Sequence, residues 1–312
     1  MAESNVNYGQ HTNEAFYLSR HDRLRPQIER GCDKFLDVYD TFITKEKDNV
    51  IVAAAMTDSD LDQKMTYLLM QLILSLKTAI QQLKMSPTTK LQEKEQQYAR
   101  ELRSAEHQGL SPFSVLLEMI TLLYKDADAI QNCLRVVYER LTLDDDRSKP
   151  NPLVAKTICK VEMTLSNGLT KMFWGASVAR ERKLRKTYLR NLVNQHFHEW
   201  VKGTLENENA FIKFPMISVR CVALQFSHGE EIFTDNNMNT IPPCQTCSRL
   251  FQGITWGENP RIDHERIFPP GNCAEYYAFS KLLRAVGDLQ SWKCSFQNGT
   301  DVKSYMINLL SQ

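Results

Sequence analysis

The tightest constraint on this chain lies between residues 242 and 275. There Pro-Pro-Cys-Gln-Thr-Cys (242–247) is followed by Asn-Cys-Ala-Glu (272–275). Cys244, Cys247 and Cys273 form a thiolate set one ligand short of a closed zinc tetrahedron. A structural zinc is closed by four protein ligands, whereas a catalytic zinc keeps three and leaves a position for water. Glu275 stands two residues beyond Cys273, where its carboxylate could serve that water rather than the metal. Two plainer readings stand beside this one. The zinc could be structural, closed by His228, His264 or Cys294, or the three cysteines could be unmetallated core thiols. Glu275 would also fit as a first-turn helix carboxylate, favoured by the macrodipole.

Pro243-Cys244-x-x-Cys247 with Cys273-Ala274-Glu275 resembles the signature of the zinc-dependent cytidine and nucleobase deaminase superfamily. Carried over by position, Cys273 matches the first ligand, Cys244 and Cys247 the paired ligands, and Glu275 the proton shuttle. In the family the glutamate motif comes first. Here Pro-Cys-x-x-Cys precedes it, between a strand hairpin and the glutamate helix. The hairpin is expected from Met216–Phe226 and Glu230–Thr234, around His228-Gly229, and the helix over Ala274–Val286. The likeness covers about residues 211–312. It implies a small three-layer α/β domain, a Zn2+ cofactor, and hydrolytic deamination of a nucleobase or nucleoside amine. It also implies substrate contacts at Asn236 and Asn237, although turn chemistry accounts for that pair equally well. Trp256 and Tyr276 are further candidates, as rings that could stack on a base or simply fill the core.

The rest of the chain reads as two halves. Residues 1–206 form a helical domain, and residues 207–312 the deaminase-like unit, with Glu206-Asn207-Glu208-Asn209 as the boundary. Phe16–Glu29 and Lys34–Thr44 are short helix candidates. Leu61, Met65, Leu68, Leu69, Leu72, Leu76 and Ile80 recur at three- and four-residue steps and predict a long helix over Leu61–Met85, stopped by Ser86-Pro87. Lys90–Glu106 is charged nearly all round and reads as a solvent-facing helix. Ser111-Pro112 opens another long stripe running to Val137. Val154–Trp200 also reads as helical, interrupted at Asn167-Gly168 and Gly175. Few β-branched alternations precede residue 210, so no strands are expected there. After the glutamate helix, Leu289–Phe296 suits a strand and Asp301–Leu310 a helix.

Composition narrows the setting. A hydrophobic share of 42% supports a real core, so bulk disorder is excluded. The net charge of +1 provides no global attraction to nucleic acid or anionic membrane. Eight cysteines are spread too unevenly for a disulfide scaffold, and no apolar run marks a signal peptide or a membrane span. A cytoplasmic or nuclear setting follows as the expectation. Charge is concentrated locally instead. Arg180–Arg190 carries six Lys/Arg against Glu181, a net of +5, whereas residues 205–312 have nine Lys/Arg and eleven Asp/Glu, a net of −2. The basic segment could track a phosphate backbone, making a nucleoside or single-stranded nucleic acid the candidate partner, or it could be a solvated helix face. The main alternative to an enzyme is an interaction protein, with the helical domain binding a protein partner and zinc stapling the smaller domain.

Overall fold

The apolar stripes of the first half fold as helices, each ending at a local signal. The computed structural model describes residues 9–54, 58–106, 108–142, 151–164, 168–178, 182–206, 210–214, 218–226, 238–260 and 271–287. Helix α1 (Gly9–Val38) passes through a π-helical stretch at Tyr39–Ile43 into α2 (Thr44–Ala54), so the two short helices expected here are continuous. Helix α3 (Asp58–Gln82) carries the long stripe, with Leu69, Leu72 and Leu76 fully buried. It ends in a Schellman turn. Met85 N–H donates to Ile80 O and Lys84 N–H to Gln81 O, both at 3.0 Å, and Lys84 takes a left-handed φ of 54°. Thr88 caps α4 (Thr89–Gln97) by accepting the Leu91 N–H at 3.3 Å. Tyr98 leaves helical geometry and separates α4 from α5 (Ala99–Ser104), so the charged segment is two helices rather than one. Ser111 caps α6 (Pro112–Leu123), with Pro112 in its first turn. The stripe expected to continue to Val137 breaks at extended Tyr124. Asp126 then starts α7 (Ala127–Thr142) by accepting the Ala129 N–H at 2.9 Å.

Residues 154–200 depart from the helical expectation. Strands β1 (Thr157–Thr164) and β2 (Thr170–Ala176) pair as an antiparallel hairpin, from Ile158↔Ala176 to Thr164↔Thr170. The cause is local. Thr157, Ile158, Val161 and Thr164 are β-branched and pack well on a pleated surface. Gly168, read from sequence as part of a helix interruption, stands shortly before β2 with φ +81°. Helix resumes in α8 (Arg182–His196) and α9 (Glu199–Glu206). The remainder comprises β3 (Ile212–Lys213), β4 (Ser218–Phe226), β5 (Met238–Ile241), α10 (Gln245–Leu250), β6 (Phe251–Gln252), β7 (Thr255–Trp256) and α11 (Ala274–Gly287). The glutamate helix is where the sequence places it. The segments expected as elements at Glu230–Thr234, Leu289–Phe296 and Asp301–Leu310 lie outside the described residues.

The main sheet has the order β2-β1-β4, with β5 and β7 sharing the outer edge of β4. β1 is antiparallel to both neighbours. β5 runs antiparallel to β4 along Ala223–Phe226, and β7 parallel along Arg220–Cys221. β3 and β6 form a separate parallel pair. The sheet therefore takes strands from both sides of the 206/207 boundary, and a division there parts β1 from β4. Side chains alternate between faces along a strand. Cys159, Val161 and Cys221 share one face, and Gly175 lies opposite Cys159 in register. Helix α11 packs on that face, over β1 and β2. Phe226 points to the other face, where its ring stacks on Tyr138 of α7 at 4.0 Å and meets Phe113 of α6 edge-on at 5.8 Å. The N-terminal helices thus form a layer of the same core. Among the described residues no helix is long and apolar enough to cross a membrane.

Candidate metal centre

Aromatic packing sets the two cysteine-bearing segments side by side. Helix α10 runs directly into β6, where Phe251 stacks on Phe279 of α11 at 4.0 Å and meets Tyr276 edge-on at 5.7 Å. Cys244 is the N-cap of α10, and its Sγ accepts the Cys247 N–H at 3.4 Å. Cys273 immediately precedes α11, and its Sγ lies 3.6 Å from that of Cys244. The three Sγ atoms all fall within 4.8 Å of one another. The trio proposed from sequence spacing is a trio in space.

The sheet positions α11 through a glycine. A Cβ on Gly175 would stand 2.3 Å from Ala274 O and 2.8 Å from Ala278 N, so only glycine lets this helical turn rest directly on β2. Val178 N–H donates to Asn272 O at 3.3 Å and holds the residue before Cys273. Glu275 lies in the first turn of α11 and is only 4% exposed. Burial, and after it the negative charge of Cys244, pushes its carboxyl up to about 7. Cys159 and Cys221 lie on the sheet face beneath, their thiols 3.3 Å apart and fully buried. Burial raises both thiols, and the Glu275 charge adds to the effect.

The donor set fits a soft divalent cation. Hydrogen bonds from the Cys247 and Cys273 thiols hold Cys244 well below the usual thiol range. Cys247 is held well above that range, chiefly by burial, and Cys273 likewise, chiefly by its hydrogen bond to Cys244. Three thiolates this close require a positive charge among them. The Tyr276 hydroxyl and Asn272 Oδ1 are buried without a partner among the described residues. Ionisation of Tyr276 is opposed by burial and then by all three cysteines, so its hydroxyl lies within their electrostatic reach. Sulfur ligands at this spacing favour zinc over oxygen-seeking magnesium or calcium.

The other candidate residues fare differently. Tyr276 is a core ring rather than an open stacking surface, because it is fully buried and stacked on Phe197 at 5.9 Å. Trp256 is half-buried on β7, packed edge-on to Phe279 at 6.5 Å. Asn236 and Asn237 lie outside the described residues, as do His228, His264 and Cys294. Sequence reasoning missed Gly175, Cys159 and Cys221. Gly175 has a readable signal once β2 is seen as a strand, since an interior strand glycine marks close backbone approach. The two cysteines have none, because only the β1–β4 register brings them together. No family model matches the chain, nor does any curated protein or solved structure.

Proposed function

We propose that the chain is a zinc-dependent hydrolase that removes the exocyclic amine of a nucleobase or nucleoside. The supporting observation is a buried carboxylate, Glu275, in the first turn of the helix that follows Cys273, beside three convergent thiols. Zinc, when bound, supplies a water whose pKa is lowered to near 7. Glu275 accepts a proton from the water that attacks the amine-bearing carbon. It gives this first proton to the adjacent ring nitrogen. A second proton, from the hydroxyl now on that carbon, passes through the same carboxylate to the departing amine. Water and C–NH2 thereby become C=O and ammonia, and Glu275 ends in its starting state. Cys159 and Cys221 give the floor beneath it weak hydrogen-bonding groups that do not compete for its protons.

The test is ammonia release by zinc-replete protein from cytidine, adenosine and single-stranded oligonucleotides. The wild type is expected to release ammonia, and Glu275→Gln to do so about a hundred- to ten-thousandfold more slowly while keeping its zinc. No release from any substrate, or full activity in the variant, ends this reading. Zinc loss in Glu275→Gln would make Glu275 a fourth ligand and the site a structural staple, with the helical half left as a surface for a protein partner.

A further inference from the structure

The molecule is nearly neutral, but one helix is not. Helix α8 holds five Lys/Arg and no Asp/Glu along its 15 residues. Its apolar side is spent on the core. Leu184, Tyr188 and Leu192 are buried, and the Tyr188 hydroxyl donates to Ser75 O of α3 at 2.7 Å. Lys183, Lys186 and Arg190 are exposed, at i, i+3 and i+7. They form one stripe about 10 Å long at 1.5 Å of rise per residue. Arg185 is half-buried beside it, and exposed Arg284 of α11 reaches across to donate to Gln195 O at 3.1 Å. Among the described residues no acidic side chain pairs with Arg185, Lys186 or Arg190.

The stripe lies beside the candidate metal centre. Leu189 is only about 60° of helical arc from Lys186. It packs against Gly271, where a Cβ would stand 3.1 Å from Leu189 Cδ1. Gly271 is two residues before Cys273. At the C-terminal end of α8, Phe197 stacks on Tyr276, the residue after Glu275. A helix whose charged residues are all basic therefore flanks the segment carrying a metal ligand and the proposed proton shuttle.

We infer that the exposed face of α8, with Lys183, Lys186, Arg190, Arg185 and Arg284, is a track for the sugar-phosphate backbone of a single-stranded nucleic acid. This inference rests on the deaminase reading, and it makes the substrate a base within a polynucleotide. A free nucleoside has no chain of phosphates for such a stripe to engage, whereas a polynucleotide presents one phosphate per residue. A single strand is required because a base must leave its stack before its amine can approach a buried carboxylate. Affinity from such a track comes from counterion release and weakens with salt, by about 0.7 in the log–log slope for each phosphate engaged.

The experiment measures fluorescence anisotropy of a labelled mixed-sequence single-stranded oligonucleotide, DNA and RNA in turn, against full-length zinc-loaded protein over a series of salt concentrations. The comparison is with Arg185→Gln/Lys186→Gln/Arg190→Gln, checked for native zinc content and circular dichroism. The wild type is expected to bind with a steep salt slope. The triple variant should bind at least tenfold more weakly at low salt, with a slope smaller by about 2 for three lost phosphate contacts. No binding, salt-independent binding, or an unchanged slope in a folded variant overturns the inference. Preferential binding to phosphatidylserine vesicles overturns it too, making the stripe a membrane-facing surface. The two proposals fail separately. Oligonucleotide binding with the expected slope but no ammonia release from any substrate removes the deaminase reading and leaves the track. Deamination of free nucleosides without oligonucleotide binding does the reverse.

Discussion

The Tyr277 hydroxyl donates to the Glu118 carboxylate at 3.0 Å, joining the helix that carries Glu275 to α6 in the N-terminal half. Lys281, one turn further along α11, forms an ion pair with the same carboxylate and donates to Trp174 O of β2 at 3.0 Å. Tyr277 is two residues from Glu275, so the two side chains leave α11 on different sides, about 200° apart. Glu118 therefore sets the rotation of the helix from the side away from the candidate metal centre. The N-terminal helices are a structural part of the site, not an appended module.

Removing that anchor should weaken the fold. Glu118→Ala leaves a nearly buried tyrosine hydroxyl and a half-buried ammonium without their carboxylate, at an expected cost of about 1–3 kcal/mol. Tyr277→Phe removes only a hydroxyl and should cost about 0.5–1.5 kcal/mol. Urea unfolding followed by circular dichroism measures both. Unchanged midpoints in both variants would show that the contact contributes nothing.

Gly175 should tolerate no side chain. The Cβ of Gly175→Ala meets backbone rather than a flexible side-chain end, so α11 must lift off β2. Such overpacking costs typically about 1–3 kcal/mol. Because Cys273 moves with the start of α11, zinc content should fall as well. A variant with wild-type melting temperature and full zinc would mean that the close helix–strand contact is dispensable.

Purified, reduced protein should carry about one zinc, because three thiolates form a site few other metals prefer. Cys273→Ala should lose the metal and destabilise the fold, since metal-binding energy at such a site is folding energy. Affinity should also fall as pH drops. Cys247 and Cys273 are held protonated without a cation, so binding zinc expels their protons and acid opposes it. Elemental analysis and competition with a chromophoric chelator at two pH values test all three statements. Zinc-free native protein would remove the basis of the proposed chemistry.

A fragment comprising residues 207–312 should not fold alone. It keeps β4 but loses β1, its antiparallel neighbour from Thr157↔Gln225 to Thr164↔Ser218, and loses Gly175 beneath α11. Near-ultraviolet circular dichroism and amide exchange of the expressed fragment should report an unfolded chain. Native-like protection in β4 would show that the hairpin is unnecessary.

The amino-acid sequence by itself determined the elements whose information is local. The stripe of α3, the Ser111-Pro112 start of α6, strand β4 and helix α11 are written in period and punctuation, and the cysteine trio in the spacing of Cys244, Cys247 and Cys273. It misled where short apolar runs satisfy two periods. Ile158 and Val161 are three apart, which suits a helix, but their β-branching and the pairing of this segment with β2 and β4 make them strand β1. Tertiary structure alone decided the rest. The Cys159–Cys221 floor depends on strand register, the fit of α11 depends on a glycine nearly a hundred residues before it, and the hold on Tyr277 comes from a carboxylate in the first half of the chain. Such contacts leave no periodic trace, because each partner is a single residue whose meaning exists only once the sheet has brought it beside the other.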